Sequence, residues 1–309
     1  MRVLVTGANG FIGGHCVSTM RQMGWQMDGV VRNGASTPAA GLHRVHTSLA
    51  LQADDLAGVD VIFHLAGLAH DRVTAAQPGG LQAQLHQVNA QATQALYDQA
   101  AIAGVPRFIW LSSIKVLGEG KAGDYQVDDP RQPQGLYATS KAAAETSLLA
   151  NQVPSTQLAI VRPPLVYGPG VKANFLKLMH YARSPWPLPL GGAQQPRAWL
   201  SVHNLVDLLI RLAQHNCQGI WHVRDAEQPG TSAMLQQLAA AAGNTSRQWH
   251  VADQLVCRLA GMVGRGDLAQ RIFGRLTVDM QTTCSALNWQ PPYTQAAEVN
   301  KAMAWLQAQ

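Results

Sequence analysis

The chain predicts an α/β protein with a doubly wound parallel sheet, and three observations carry that expectation. Short apolar runs alternate with helical stretches along the first half of the chain. The first run, Val3 to Val5, breaks into glycines at Gly7 and then opens a helix. A later run, Arg107 to Ser113, ends in two hydroxyls at the carboxyl end of its strand, where such sheets form their ligand crevice.

The elements follow in order. After the Val3–Val5 strand the sequence reads Thr6-Gly7-Ala-Asn9-Gly10-Phe11-Ile12-Gly13, and the helical pattern from Phe11 to about Met23 stops at Gly24. Strand, glycine loop and helix together form a phosphate-binding turn: the glycines let the backbone approach a pyrophosphate, and the helix N-terminus presents unpaired N–H groups with a positive dipole. The spacing Gly-x-x-Gly-x-x-Gly is one residue longer in its first interval than the common dinucleotide fingerprint. The second strand, Gln26 to Val31, ends in Arg32-Asn33, and its nearest acid, Asp28, lies within the strand. An acid at this strand end suits the free ribose of NAD(H), whereas a guanidinium such as Arg32 suits a ribose 2′-phosphate. The expected cofactor is therefore NADP(H), with NAD(H) the alternative.

A third strand, Asp60 to Leu65, runs into Ala66-Gly67, a small-residue turn that lets backbone pass close to a cofactor. A Gln/Ala-rich helix is expected from about Leu81 to Ala103, with Asn89 and Thr93 one turn apart, and the Arg107–Ser113 strand follows. Tyr137 and Lys141 lie four residues apart in Gly-Leu-Tyr-Ala-Thr-Ser-Lys, on one face of a helix. A nearby ammonium favours phenolate and lowers the tyrosine pKa from its ordinary value of about 10, which would equip Tyr137 for acid–base work.

These residues resemble the extended short-chain dehydrogenase/reductases, in the branch of nucleotide-sugar epimerases, dehydratases and reductases. The resemblance spans nearly the whole chain. It rests on Thr6-Gly7-x-x-Gly10-x-x-Gly13, His64-Leu-Ala66, Asn89, Leu111-Ser-Ser113, Tyr137-x-x-x-Lys141, Arg162-Pro-Pro-x-Val-Tyr-Gly-Pro-Gly170 and Leu287-Asn-Trp-Gln-Pro. It implies a Rossmann-like domain over 1–166 with about 199–220, and a smaller C-terminal substrate-binding lobe over 167–198 and 221–309. The helix from His203 to Asn216 would rejoin the first part, while Asp279–Gln290 and Thr294–Leu306 would close the second.

The resemblance also implies roles. Tyr137 would exchange a proton with the sugar oxygen, Ser113 would bond that oxygen, and Lys141 would hold the nicotinamide ribose and lower the Tyr137 pKa. Gly7, Asn9, Gly10, Phe11, Ile12, Gly13, Leu65, Ala66, Asn89 and Pro164 would complete the cofactor contacts with Arg32. Asn174 and Arg197 would grip the substrate diphosphate, for which arginine offers a bidentate fork. Arg275 could add a cation or be an exposed loop charge, and His203 reads as structural.

Dehydration of a sugar nucleotide needs the Thr-Asp-Glu carboxylates that this family places at the Ser113 strand end. The chain has Ser113-Ile114-Lys115 there, which excludes that chemistry. A 4-ketoreductase and a 4-epimerase remain, and Arg32 favours the reductase. Ser-Ser-Ile-Lys-Val with Val-Lys-Ala-Asn-Phe also resembles bacterial reductases of UDP-4-keto-6-deoxy-N-acetylhexosamines, which serve surface-polysaccharide synthesis. A non-catalytic NADP-binding sensor is the reading from another class, disfavoured because Ser113, Tyr137 and Lys141 are all present.

The remaining composition sets bounds. The 309 residues, 47% of them hydrophobic, can bury a full core. A net charge of +5 without Lys/Arg blocks fits anionic nucleotide ligands and excludes a nucleic-acid groove. Cys16, Cys217, Cys257 and Cys284 show no paired spacing and read as reduced thiols, neither metal ligands nor disulfides. With no apolar run near the roughly 20 residues of a membrane span, and a first strand that begins at once, the expectation is a cytoplasmic protein without membrane insertion. The apolar segment Leu255–Val263 reads as a lobe helix, and a homodimer is implied only by the resemblance.

Overall fold

The computed structural model describes residues 1–31, 41–68, 80–184, 186–215, 218–245, 248–251, 258, 269 and 272–309. Its centre is a seven-stranded, wholly parallel sheet in the order β3-β2-β1-β4-β5-β6-β9. The strands are β1 (Arg2–Thr6), β2 (Gln26–Val30), β3 (Arg44–His46), β4 (Val61–His64), β5 (Arg107–Leu111), β6 (Gln157–Arg162) and β9 (Gly219–His222). The chain winds outward from β1 through β2 to β3, then returns to lay β4 on the other side of β1. This reversal leaves a crevice beyond the ends of β1 and β4, as expected of a doubly wound sheet.

Both faces of the sheet are covered, so its strands are apolar on both sides. Val3, Val5, Ile109 and Val161 point into one hydrophobic cluster with α1 (Phe11–Gln22) and α6 (Val202–Gln214). The alternate residues Leu4, Phe108, Trp110 and Ile160 enter the opposite cluster with α3 (Ala92–Ile102) and α4 (Leu136–Ala150). A third cluster lies away from the sheet, where α5 (Ala173–Arg183), α7 (Thr231–Ala241) and the C-terminal helix Gln295–Gln307 pack Phe175, Met179, Leu235, Leu238 and Met303 together. The short parallel pair β7 (Leu165–Tyr167) and β8 (Trp199–Ser201) leads into it. Phe11 touches both the first and the third cluster.

Two expectations change. The helix expected as one piece from Leu81 to Ala103 is α2 (Gly80–His86), a π-helical turn (Gln87–Gln91) and α3. The Asn89 hydrogen bonds described below stand on that turn, and side-chain demands of this kind leave no periodic mark in sequence. Strand β3 was not expected: it is three residues long, largely exposed, and lacks an apolar run. The Asp279–Gln290 segment holds a helix at Gln281–Leu287, with Asn288 left-handed at φ 44°. Leu255–Val263, apart from Arg258, lies outside the described residues, as do Asn216, Cys217 and Cys257. No described helix is long and apolar enough to cross a membrane.

Candidate active site

The crevice at the β1/β4 reversal is a cavity of about 800 Å³. Its floor is Gly7, Asn9 and Gly10 after β1, and Leu65, Ala66, Gly67 and Leu68 after β4. Two positions demand glycine. Gly7 has φ +69°, and a Cβ on Gly13 would stand 2.1 Å from the Gly7 carbonyl oxygen, so α1 can start against the turn only with hydrogen there. Phe11, Ile12 and Gly13 form the first turn of α1 at this floor. A cradle of small residues at a helix N-terminus fits a dinucleotide diphosphate.

Thr47, Ser48, Leu49 and Ala50 beyond β3 make the far wall, and Gln87, Val88 and Lys172 line the cavity too; none of these was expected from the sequence. No motif marks the far wall because the strand before it was not legible. Asp28 is confirmed as mid-strand: it is buried and binds Arg2 Nη2 at 2.8 Å, which takes it out of any ribose contact. Arg32 lies outside the described residues.

A directional hydrogen-bond chain fixes the β4 end. Ala66 N donates to Thr6 Oγ1 at 3.0 Å, Thr6 Oγ1 meets His64 Nδ1 at 2.7 Å, and His64 Nε2 meets Thr93 Oγ1 at 2.9 Å. Thr93 spends its own proton on the Asn89 carbonyl at 2.9 Å, so His64 must donate from Nε2 and accept at Nδ1. Burial, with Lys141 nearby, holds His64 down to about 3 and hence neutral. Asn89 closes the chain. Its Oδ1 accepts from Leu68 N at 2.8 Å, and its Nδ2 donates to Leu68 O and Ser140 Oγ, both at 3.0 Å.

Beyond this turn stand the residues that the spacing singled out. Helix α4 starts at Gly135 (φ 81°) and presents Tyr137, Lys141 and Glu145 at successive turns. Ala138, Ala142 and Ala144 are its small buried residues and allow close approach to the sheet. Ser113 is buried just past β5, caps a 3-10 turn by accepting from Lys115 N at 3.3 Å, and has its hydroxyl close enough to the Tyr137 phenol to lower the phenol's pKa. Lys141 Nζ donates to Leu111 O at 2.9 Å and stands 4.8 Å over the Trp110 ring. A Cβ on Gly67 would come within 3.3 Å of both Lys141 Nζ and Asn89 Oδ1, which sets the ammonium at the cavity floor.

The electrostatics correct one expectation. Burial raises Tyr137 to about 12 and the Ser113 bond opposes it; Lys141 does not lower it. The ammonium is engaged by the Leu111 carbonyl, and burial brings Lys141 itself down to about 8, with Glu145 acting in the other direction. Glu145, unforeseen in the sequence reading although the i, i+4, i+8 spacing contains it, is fully buried. It accepts from Ser112 Oγ at 2.6 Å and from Arg162 Nε and Nη2 at 3.0 and 2.7 Å.

Of the residues expected at the substrate diphosphate, Asn174 is exposed in the first turn of α5; Pro164, expected at the cofactor, is buried just after β6 and is not among the cavity's lining residues. Arg197 Nη1 donates to Gly274 O at 2.6 Å; burial lowers its pKa, while the Glu119 charge raises it. Glu119 also pairs with Lys115 Nζ at 3.1 Å. Arg275 binds Asp124 at 3.4 Å and Thr277 Oγ1 at 3.2 Å, which makes it a lobe-to-loop tie. His203 bonds Glu298 through Nδ1 and stacks edge-on with His15 at 5.0 Å, as a structural histidine should.

The chain is 34% identical to a UDP-glucose 4-epimerase of Vibrio cholerae, over 99% of this chain and 96% of that one. The solved structure of MoeE5 with UDP-glucuronic acid and NAD superposes at a TM-score of 0.79 and 25% identity, over 100% of this chain and 99% of that one. A Bacillus cereus UDP-glucuronic acid 4-epimerase with NAD has the same fold, at a TM-score of 0.79 and 18% identity over 100% and 99% of the two chains. The family described as NAD dependent epimerase/dehydratase matches residues 3–223. With its glycine turn, strand-end serine and Tyr-x-x-x-Lys helix in these places, the chain belongs to the NAD dependent epimerase/dehydratase family.

Proposed function

We propose that the protein moves a hydride at C4 of a nucleotide sugar, acting as a 4-ketoreductase on a UDP-linked 4-keto sugar. The observation that carries the C4 chemistry is the Ser113 hydroxyl close enough to the Tyr137 phenol to lower its pKa, with the Lys141 ammonium one helical turn on, beside the cavity residue Gly67. A bound nicotinamide supplies the hydride. Tyr137 donates the proton to the nascent C4 alkoxide; Ser113 holds that oxygen and shares the phenolate left behind. Lys141 supplies a charge at the cavity floor, and Asn89 with the His64 chain fixes the backbone of residues 66–68 around it.

In this reading residues 167–198 and 221–309 form the nucleotide-sugar lobe, with Asn174 and Arg197 on the substrate diphosphate. The reductase is favoured by Arg32, which follows the second strand in the sequence and is a cation suited to the NADPH 2′-phosphate, and by Ser113-Ile114-Lys115, which lacks dehydratase carboxylates. A second reading, the NAD-dependent UDP-sugar 4-epimerase, has its own support in the Vibrio cholerae relative and in the NAD held by the MoeE5 structure.

Mixing the protein with NADPH and a UDP-4-keto-6-deoxy-N-acetylhexosamine separates the two. A reductase consumes one NADPH per sugar. Interconversion of UDP-glucose and UDP-galactose without net loss of reduced cofactor makes it an epimerase. Tyr137→Phe should lower kcat about 10²- to 10⁴-fold and leave cofactor affinity unchanged; a variant within threefold of the parent removes Tyr137 from the chemistry.

A further inference from the structure

The dinucleotide cavity is lined mostly by backbone, small and apolar residues; the buried Lys141 ammonium stands behind Gly67, and among the described lining residues themselves Lys172 alone carries a charge. Lys172 comes from the other side of the molecule. It is the N-cap of α5, more than 160 residues beyond the glycine turn, yet it lines the same cavity as Asn9 and Gly10. It is exposed, and among the described residues no carboxylate pairs with it. Its own stretch of chain offers none: there is no Asp or Glu between Glu145 and Asp207.

The next residue, Ala173, has φ 56°, one of two left-handed non-glycine residues among those described. A left-handed alanine costs on the order of 1–2 kcal/mol. It turns the chain sharply between Lys172, at the cavity, and Asn174, on the exposed first turn of α5. The geometry points to Lys172 as a cofactor-binding residue that reaches the dinucleotide diphosphate from the substrate side, opposite the Gly7–Gly10 turn. The glycine turn offers only neutral N–H groups and a helix dipole; a single ammonium facing it supplies the missing full positive charge. Because Lys172 and Asn174 flank one strained residue, cofactor binding also fixes the first turn of α5. This inference rests on the proposed dinucleotide reading of the cavity.

The test is equilibrium binding with no sugar substrate present, followed by tryptophan fluorescence or calorimetry. Lys172→Met should raise the Kd for NADH and NADPH alike by about tenfold, and do the same for ADP-ribose, which keeps the diphosphate and lacks nicotinamide. The loss should shrink at high salt, because the contact is electrostatic. The melting temperature should not move, since the side chain is exposed. Lys172→Arg should retain most of the affinity. An unchanged Kd overturns the assignment. A loss confined to NADPH also overturns it, because the contact would then be the ribose 2′-phosphate. If the parent protein itself binds none of the three nucleotides, the cavity reading fails, a result separate from any effect of Lys172.

Discussion

Charged side chains occur in two settings around this site, and the contrast explains how it is built. Beneath the site, Arg162 and Glu145 form a bidentate pair at 2% and 0% side-chain exposure, joined by Ser112 and followed one turn back by Lys141. On the rim, Lys115–Glu119, Lys121–Asp129 and Arg275–Asp124 are one-point pairs that keep contact with water. The same functional groups do different work in the two places. Where water is excluded, a carboxylate must have every partner in place, and the pair then locks strand end to helix. On the rim the pairs hold little energy, so an anionic ligand can exchange partners with them at small cost. Helix α4, which carries Tyr137 and Lys141, hangs on the first kind of pair, and the rim loops on the second.

The most severe way to break this contrast is Glu145→Ala. It strands the buried Arg162 guanidinium and frees Ser112, and should cost about 3–5 kcal/mol in chemical denaturation. A loss below about 1 kcal/mol would mean that the floor is no more coupled than the rim. Glu145→Gln should recover part of this stability.

Lys141→Met probes the same floor through pH. The folded-state pKa of Lys141 is lowered to about 8 from its ordinary 10.5, so keeping the buried ammonium at neutral pH costs on the order of 3 kcal/mol. Between about pH 8 and 10.5 the unfolded chain holds a proton that the folded chain has released, so the parent protein gains stability as pH rises through that window. The variant lacks this gain. Relative to the parent, Lys141→Met should therefore be most stable near pH 7 and lose that difference by about pH 10 in thermal melts.

The smallest effect belongs to the rim. Arg275→Ala should change stability by no more than about 1 kcal/mol, less again in 0.5 M salt, because its partner Asp124 is 40% exposed. A larger loss would place this tie with the buried pairs.

Much of the fold and part of the site were legible in the chain itself. The strands β1, β4 and β5 announce themselves as apolar runs because both faces of a parallel sheet are buried. The glycine turn shows in residue type because Gly7 and Gly13 stand where no Cβ fits. Tyr137 and Lys141 show in spacing, since helical neighbours share a face wherever the helix is placed. The structure alone decided what these residues meet. Ser113 reaches Tyr137 across 24 positions only because β5 ends beside the first turn of α4, and Lys141 turns to the Leu111 carbonyl instead of tuning the phenol. Glu145, the His64 chain, the π turn under Asn89 and the approach of Lys172 to the Gly7 turn are likewise contacts between distant segments. Local sequence encodes the conformation of each segment, but these partners are set by how the layers pack, and no period or spacing records them.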